Sequence, residues 1–150
     1  MIEMELAKIL ITETSDYQVI WLREKDGART FPILIGIVEA AAIDRKVRDI
    51  PTRRPLTHDL LSSVITELGA RLDRIIVNAL RKNTFYAKLI LQMNGGMVEV
   101  DSRPSDAVAL AVRLQAPIFV EEEVLEHVAN APGDSAPGDL SSDEDGPTIV

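Results

Sequence analysis

The sequence predicts an α+β fold: one domain with a mixed, mostly antiparallel sheet, two or three packed helices, and a disordered acidic C-terminal tail. Three observations lead there. The chain has 150 residues, the length of one ordinary domain. Apolar and β-branched runs separated by turn residues recur along it. Between them lie segments whose apolar residues repeat at helical spacing.

The elements follow in order. In residues 3–13, EMELAKILITE, Met4, Leu6, Ile9 and Ile11 alternate imperfectly with polar residues, as in a strand. Residues 17–23, YQVIWLR, are β-branched and aromatic. Asp26-Gly27 signals a hairpin turn, and 30–35, TFPILI, reads as a third strand. The opening is therefore a β-meander. Gly36 breaks the pattern, and 37–48 has helical composition with Ile37, Ala40, Ala41 and Val47 for a buried face. Residues 49–55 form a Pro- and Arg-rich loop. Thr57 is placed as an N-cap with Asp59 in the first turn. Leu60, Leu61, Val64, Ile65 and Leu68 mark an amphipathic helix, closed by Gly69.

Residues 71–80 and 84–92 read as paired strands around Arg81-Lys82-Asn83, and 97–100 as another strand after Asn94-Gly95-Gly96. The next helix, containing AVALAVRL, is apolar nearly all round and is expected to be buried. Pro117-Ile118-Phe119-Val120 is the short continuous apolar run of a strand covered on both faces. Arg54-Pro55…Leu68-Gly69-Ala70 and Arg103-Pro104…Leu114-Gln115-Ala116 echo each other faintly, as a duplicated helix–strand unit or by chance. The body is placed at 1–128 and the tail at 129–150, whose composition is too polar to offset ordering entropy.

Composition narrows the chemistry. There is no Cys and only two His, which excludes disulfides, thiolate zinc sites and cysteine nucleophiles. No apolar run approaches the length of a membrane span, and the N-terminus lacks a basic leader, so a cytoplasmic protein without membrane contact is expected. The net charge of −8 is unevenly spread. Residues 121–150 hold nine acids and no Lys or Arg, leaving fifteen acids against sixteen bases in the rest. That tail reads as a solubilising appendage or as a competitor for the basic strip described below. No P-loop, GxGxxG, GxSxG, HExxH or EF-hand pattern occurs.

Three clusters could carry chemistry. Glu39 precedes three alanines near a helix start, as a metal ligand, a general base or a carboxylate stabilising the helix dipole. Arg53-Arg54-Pro55-Leu56-Thr57-His58-Asp59 gathers two guanidinium groups, an imidazole and a carboxylate at a helix N-terminus. This pattern suits phosphate binding and proton transfer, or capping and a solvated loop. Asp101 and Asp106 flank Arg103 at another helix entrance, where two carboxylates can share Mg²⁺ or lock the loop by ion pairing. The strip Arg45, Lys46, Arg48, Arg53, Arg54 leads into the second cluster and reads as a phosphate track or a solvated face. Aromatic residues make up only 4%, which gives little support to base stacking.

Taken together, FPILIGIVEAAAI, RRPLTHDLL, NTFYAKLIL, VDSRPSDAVALAVR and APIFVEEEVL, in this order, resemble the bifunctional nuclease domain family (the DUF151 group) over residues 4–126. Arg53-Arg54-Pro55 stands where the family often has Pro-Arg-Pro. The resemblance implies a single α+β domain, commonly a homo-oligomer, with nuclease activity on DNA and RNA. Glu39, Arg54, His58, Asp59, Asp101, Arg103 and Asp106 occupy the family's motif positions. The expected function is thus metal-assisted phosphodiester hydrolysis with nucleic acid as substrate. Glu39, His58, Asp59, Asp101 and Asp106 are the catalytic candidates. Glu39, Asp101 and Asp106 are the candidate ligands of Mg²⁺ or Mn²⁺, and Arg54 and Arg103 the phosphate contacts. The alternative is a non-catalytic oligomeric binding or regulatory module in which the same groups lock loops.

Overall fold

The computed structural model describes residues 1–130, and the predicted tail from 131 onward lies outside the described residues. Seven strands form one sheet: β1 (Ile2–Leu10), β2 (Gln18–Glu24), β3 (Thr30–Ile35), β4 (Arg71–Arg81), β5 (Thr84–Met93), β6 (Gly96–Ser102) and β7 (Ile118–Val120). Their order is β3-β2-β1-β7-β4-β5-β6. Two antiparallel meanders, β1–β3 and β4–β6, are thereby joined by β7. That strand runs antiparallel to β1 and parallel to β4. The sheet is mixed and mostly antiparallel, as the sequence predicts.

Turn chemistry sets the second meander. Lys82-Asn83 and Asn94-Gly95 all have positive φ, the geometry of a two-residue turn matched to strand twist. The central position of β7 explains its apolar run: Ile118 and Val120 are buried in the main core while Phe119 faces the other side.

The described residues form four helices: α1 (Ile37–Val47), α2 (Thr57–Glu67), α3 (Pro104–Leu114) and α4 (Glu122–Ala129). The fourth exceeds the expected two or three and runs through the predicted boundary at 128. Its signal was masked by acids, although Val124 and Leu125 are buried in the core. Glu122 and Glu123 stand in its first turn, where the helix dipole favours carboxylates. Glu122 also pairs with Arg29, so part of the acidic C-terminal stretch belongs to the folded body.

The core lies between one face of the sheet and the helices. Ile20, Leu22, Phe31, Ile33, Ile75, Val77 and Val120 meet Ala40, Ile43, Val108 and Leu110 there. Buried alanines (Ala40, Ala107, Ala109, Ala111) let α1 and α3 approach closely. The sequence echo has a structural counterpart. Gly69 and Gln115 both adopt left-handed φ after their helices. The next residues, Ala70 and Ala116, donate to Ile65 and Ala111, five positions back. The strands that follow, β4 and β7, lie side by side in parallel.

Candidate active site

Helix entrances build the site. Glu39, Asp59 and Asp106 are each the third residue of their helices, α1, α2 and α3. Carboxylates there offset the unsatisfied N–H groups and the positive end of the dipole. Side-chain bonds then draw these first turns together.

Arg103, the N-cap of α3, is the hub. Its Nη2 donates to Glu39 Oε1 at 2.7 Å and its Nε to Asp106 Oδ2 at 2.9 Å. On the other side of Asp106, His58 Nε2 lies 2.8 Å from Oδ1. An ionised carboxylate only accepts, so the imidazole is protonated at Nε2 in this contact. The result is a continuous polar chain, Glu39–Arg103–Asp106–His58, with the His58 side chain only 8% exposed and that of Arg103 52%. The His58 hydrogen bond, ahead of Arg103, holds the Asp106 carboxyl below its ordinary range against the opposing effect of burial. Glu39 and Asp106 raise the Arg103 pKa.

Gly36 makes room for this chain. A Cβ there would lie 2.6 Å from Glu39 Oε2. Thr57 is not the cap of α2: it is the first helical residue, and Leu56 is the N-cap. Capping comes instead from Asp59, whose Oδ2 accepts the Leu56 N–H at 3.0 Å. Pro55 imposes extended backbone before it, which puts the helix start where this carboxylate reaches back.

The predicted residues fall into three groups. Glu39, His58, Arg103 and Asp106 come together. Asp59 turns the other way, toward Arg113, and shares an open cleft of about 490 Å³ with Arg45, Lys46, Arg53 and Arg54. Asp101 stands apart from both. It pairs in register with Lys88, while its neighbours Val100 and Ser102 pair with the core residues Leu89 and Ala87. Strand alternation therefore points Asp101 to the sheet face away from the helices.

The donor set expected for Mg²⁺ or Mn²⁺ is accordingly split. Among the described residues, no group of three or more His, Asp or Glu stands ready to hold a metal ion. Arg103 occupies the position between Glu39 and Asp106 that a cation would take. The arrangement does not fit the predicted three-carboxylate site.

Arg113 was missed by sequence reading. Its side chain is 6% exposed; Nε binds Asp59 at 2.9 Å, Nη1 donates to Ala109 O and Nη2 to Ala42 O. It fastens α1, α2 and α3 together. The signal was a lone charge in the apolar run AVALAVRL, which resembles an ordinary C-terminal dipole partner.

The bifunctional nuclease domain model matches residues 20–132, about three quarters of the chain. The chain belongs to the bifunctional nuclease domain family. Within and around that family, it is 42% identical over 123 residues to an uncharacterized protein of Mycobacterium tuberculosis (strain H37Rv), covering 82% of this chain and 73% of that one. It is 28% identical over 118 residues to Bifunctional nuclease 2 of Oryza sativa subsp. japonica, covering 76% of this chain and 36% of the rice protein. Similarity to Bifunctional nuclease 1 of Arabidopsis thaliana is 23% over 116 residues, 75% of this chain and 36% of the plant protein. This bifunctional nuclease domain carries the polar chain and the basic cleft inside the matched region. None of its described helices is long and apolar enough to cross a membrane.

Proposed function

We propose that this protein is a nuclease that hydrolyses phosphodiester bonds of DNA or RNA at the joined entrances of α1, α2 and α3. The observation that carries the reading is the Glu39–Arg103–Asp106–His58 chain, in which an exposed guanidinium sits between two carboxylates. A phosphodiester oxygen matches the guanidinium fork as well as a carboxylate does. A substrate phosphate therefore displaces one carboxylate from Arg103 and frees it beside the phosphorus. The freed group accepts the proton of an attacking water as the new P–O bond forms. The bond to the leaving nucleoside oxygen breaks, and the same proton is returned to that oxygen. His58 acts through Asp106, fixing its orientation by the Nε2–Oδ1 hydrogen bond. Arg54 lies in the neighbouring cleft as a contact for a flanking phosphate.

A second reading has its own support. Glu39, Asp59 and Asp106 all carry internal cationic partners, as expected of a non-catalytic binding or regulatory module. Labelled single- and double-stranded DNA and RNA, incubated with purified protein in Mg²⁺, Mn²⁺ or EDTA, separate the two readings. Cleavage that falls by about a hundredfold or more in Asp106→Asn and His58→Gln supports hydrolysis. Binding without cleavage supports the module. Cleavage unchanged in both variants rejects this site. The EDTA arm reads the divalent-metal requirement directly.

Self-association is part of the proposal. Leu60, Leu61, Val64 and Leu68 leave an apolar face of α2 exposed, and a second copy of the chain is the partner we assign to it.

A further inference from the structure

We infer that the cleft between the end of α1 and the start of α2 is a track for the phosphate backbone of a polynucleotide. It deepens the nuclease reading, on which it rests for the substrate class, by naming where the strand lies beyond Arg103.

The cleft is built by a specific turn. Asp49 adopts a left-handed φ after α1, and the N–H of Ile50 donates to the carbonyl of Arg45. This turns the chain sharply, so that Arg45 and Lys46 from the last turn of α1 line the same cleft as Arg53 and Arg54 from the loop. Compensation of the α1 dipole accounts for two of these cations. It does not account for Arg53 and Arg54, which approach from a separate segment.

Charge and shape then select the ligand. Arg45, Lys46, Arg53, Arg54 and Arg113 line the cleft together with Asp49 and Asp59, a local excess of three positive charges in a chain of net −8. Asp59 is already bonded to Arg113 and Leu56. Among the described residues, Lys46, Arg53 and Arg54 pair with no carboxylate, whereas Arg48 pairs with Asp44. Unpaired cations gathered in one open cleft suit contacts to backbone phosphates. No aromatic side chain lines the cleft, so a base has no ring to stack on there. Sequence-independent binding to a backbone is what remains, and its strength must fall steeply with salt.

Fluorescence anisotropy with a labelled 20-mer of single-stranded DNA tests this on the full chain, in EDTA. The variant Lys46→Gln/Arg53→Gln/Arg54→Gln is compared with Lys25→Gln/Arg71→Gln/Lys82→Gln, which removes equal charge elsewhere. The cleft variant is expected to bind at least tenfold more weakly. Its log–log salt slope should be shallower by about two to three. The control should stay within about twofold, and both should keep the parent's unfolding midpoint. Equal losses in the two variants would overturn the track and leave only net charge. Competition by ATP at the affinity of the 20-mer would overturn it in favour of a nucleotide pocket. Wild-type binding here, with no cleavage in separate incubations with Mg²⁺ and Mn²⁺, would remove the nuclease reading and leave the track standing. Cleavage with full affinity in the cleft variant would do the reverse.

Discussion

Arg113 and Asp59 meet 2.9 Å apart at the junction of α3 and α2, and the guanidinium is far more buried than the carboxylate. The two remaining guanidinium contacts are to backbone carbonyls, which supply no charge. Asp59→Asn therefore leaves a buried cation without its counter-ion, and is expected to cost about 3 kcal/mol. That corresponds to a fall of about 10 °C in the thermal midpoint for a domain of this size. Asp59→Leu/Arg113→Met removes both charges and should recover much of the loss. A double variant as unstable as the single one would show that the pair contributes more than charge neutralisation.

Acid should weaken the fold through the same carboxylates. The Leu56 N–H first, then Arg113, holds Asp59 below its ordinary pKa, and His58 first, then Arg103, does so for Asp106. A carboxyl depressed in the folded state binds its proton more readily when unfolded. Its stabilisation is complete above the unfolded value of about 3.9 and is lost as pH falls through the folded value. Urea midpoints should thus drop between pH 5 and pH 2.5. Asp106→Asn should flatten that limb while lowering the plateau at pH 7. A limb as steep as the parent's in this variant would place the acid sensitivity elsewhere.

Much of this arrangement was legible before coordinates. Both meanders follow from strand-like runs and from turn residues, Asp26-Gly27 in the first and Asn94-Gly95 in the second. The burial of α3 follows from a surface that is apolar nearly all round. The third-position acids could be read as helix-entrance groups, which they are. Partner choice could not be read. Arg103 reaches Glu39 across 64 residues, and Arg113 reaches Asp59 across 54. Asp101 looked equivalent to Asp106 because both flank Arg103. It is separated from Asp106 by strand alternation, which acts just before the chain leaves β6.

Gly36 offers a way to disturb the polar chain without unfolding the protein. Its φ of −78° suits any residue, so an added methyl group is not opposed by the backbone. The group it meets is the end of a flexible side chain, Glu39 Oε2. Gly36→Ala should therefore swing Glu39 away from Arg103 and change stability by no more than about 1 kcal/mol, including the weaker N-cap. Nucleic-acid cleavage should fall to the level of Glu39→Gln. Full cleavage in both variants, with the thermal midpoint preserved, would remove Glu39 from the reacting groups and leave Arg103–Asp106–His58.

The exposed face of α2 makes the last expectation. Leu56, Leu60, Val64 and Leu68 repeat every fourth residue, and Leu61 lies beside them, all at least 39% exposed. Such a row is a ridge of the kind that packs into the grooves of another helix. Thr57–Glu67 carries no Lys or Arg, so this face has no cationic side chain to repel an identical one or to seek an acidic partner. Two copies of α2 related by a two-fold axis would cover both ridges at once. Leu60→Glu and Val64→Glu change side chains that face solvent in the monomer, so the fold itself should survive. Light scattering on the eluting peak should show a dimer for the parent and a monomer for either variant at micromolar concentration. A parent that is monomeric, or variants that stay dimeric with native spectra, would take the partner away from this face.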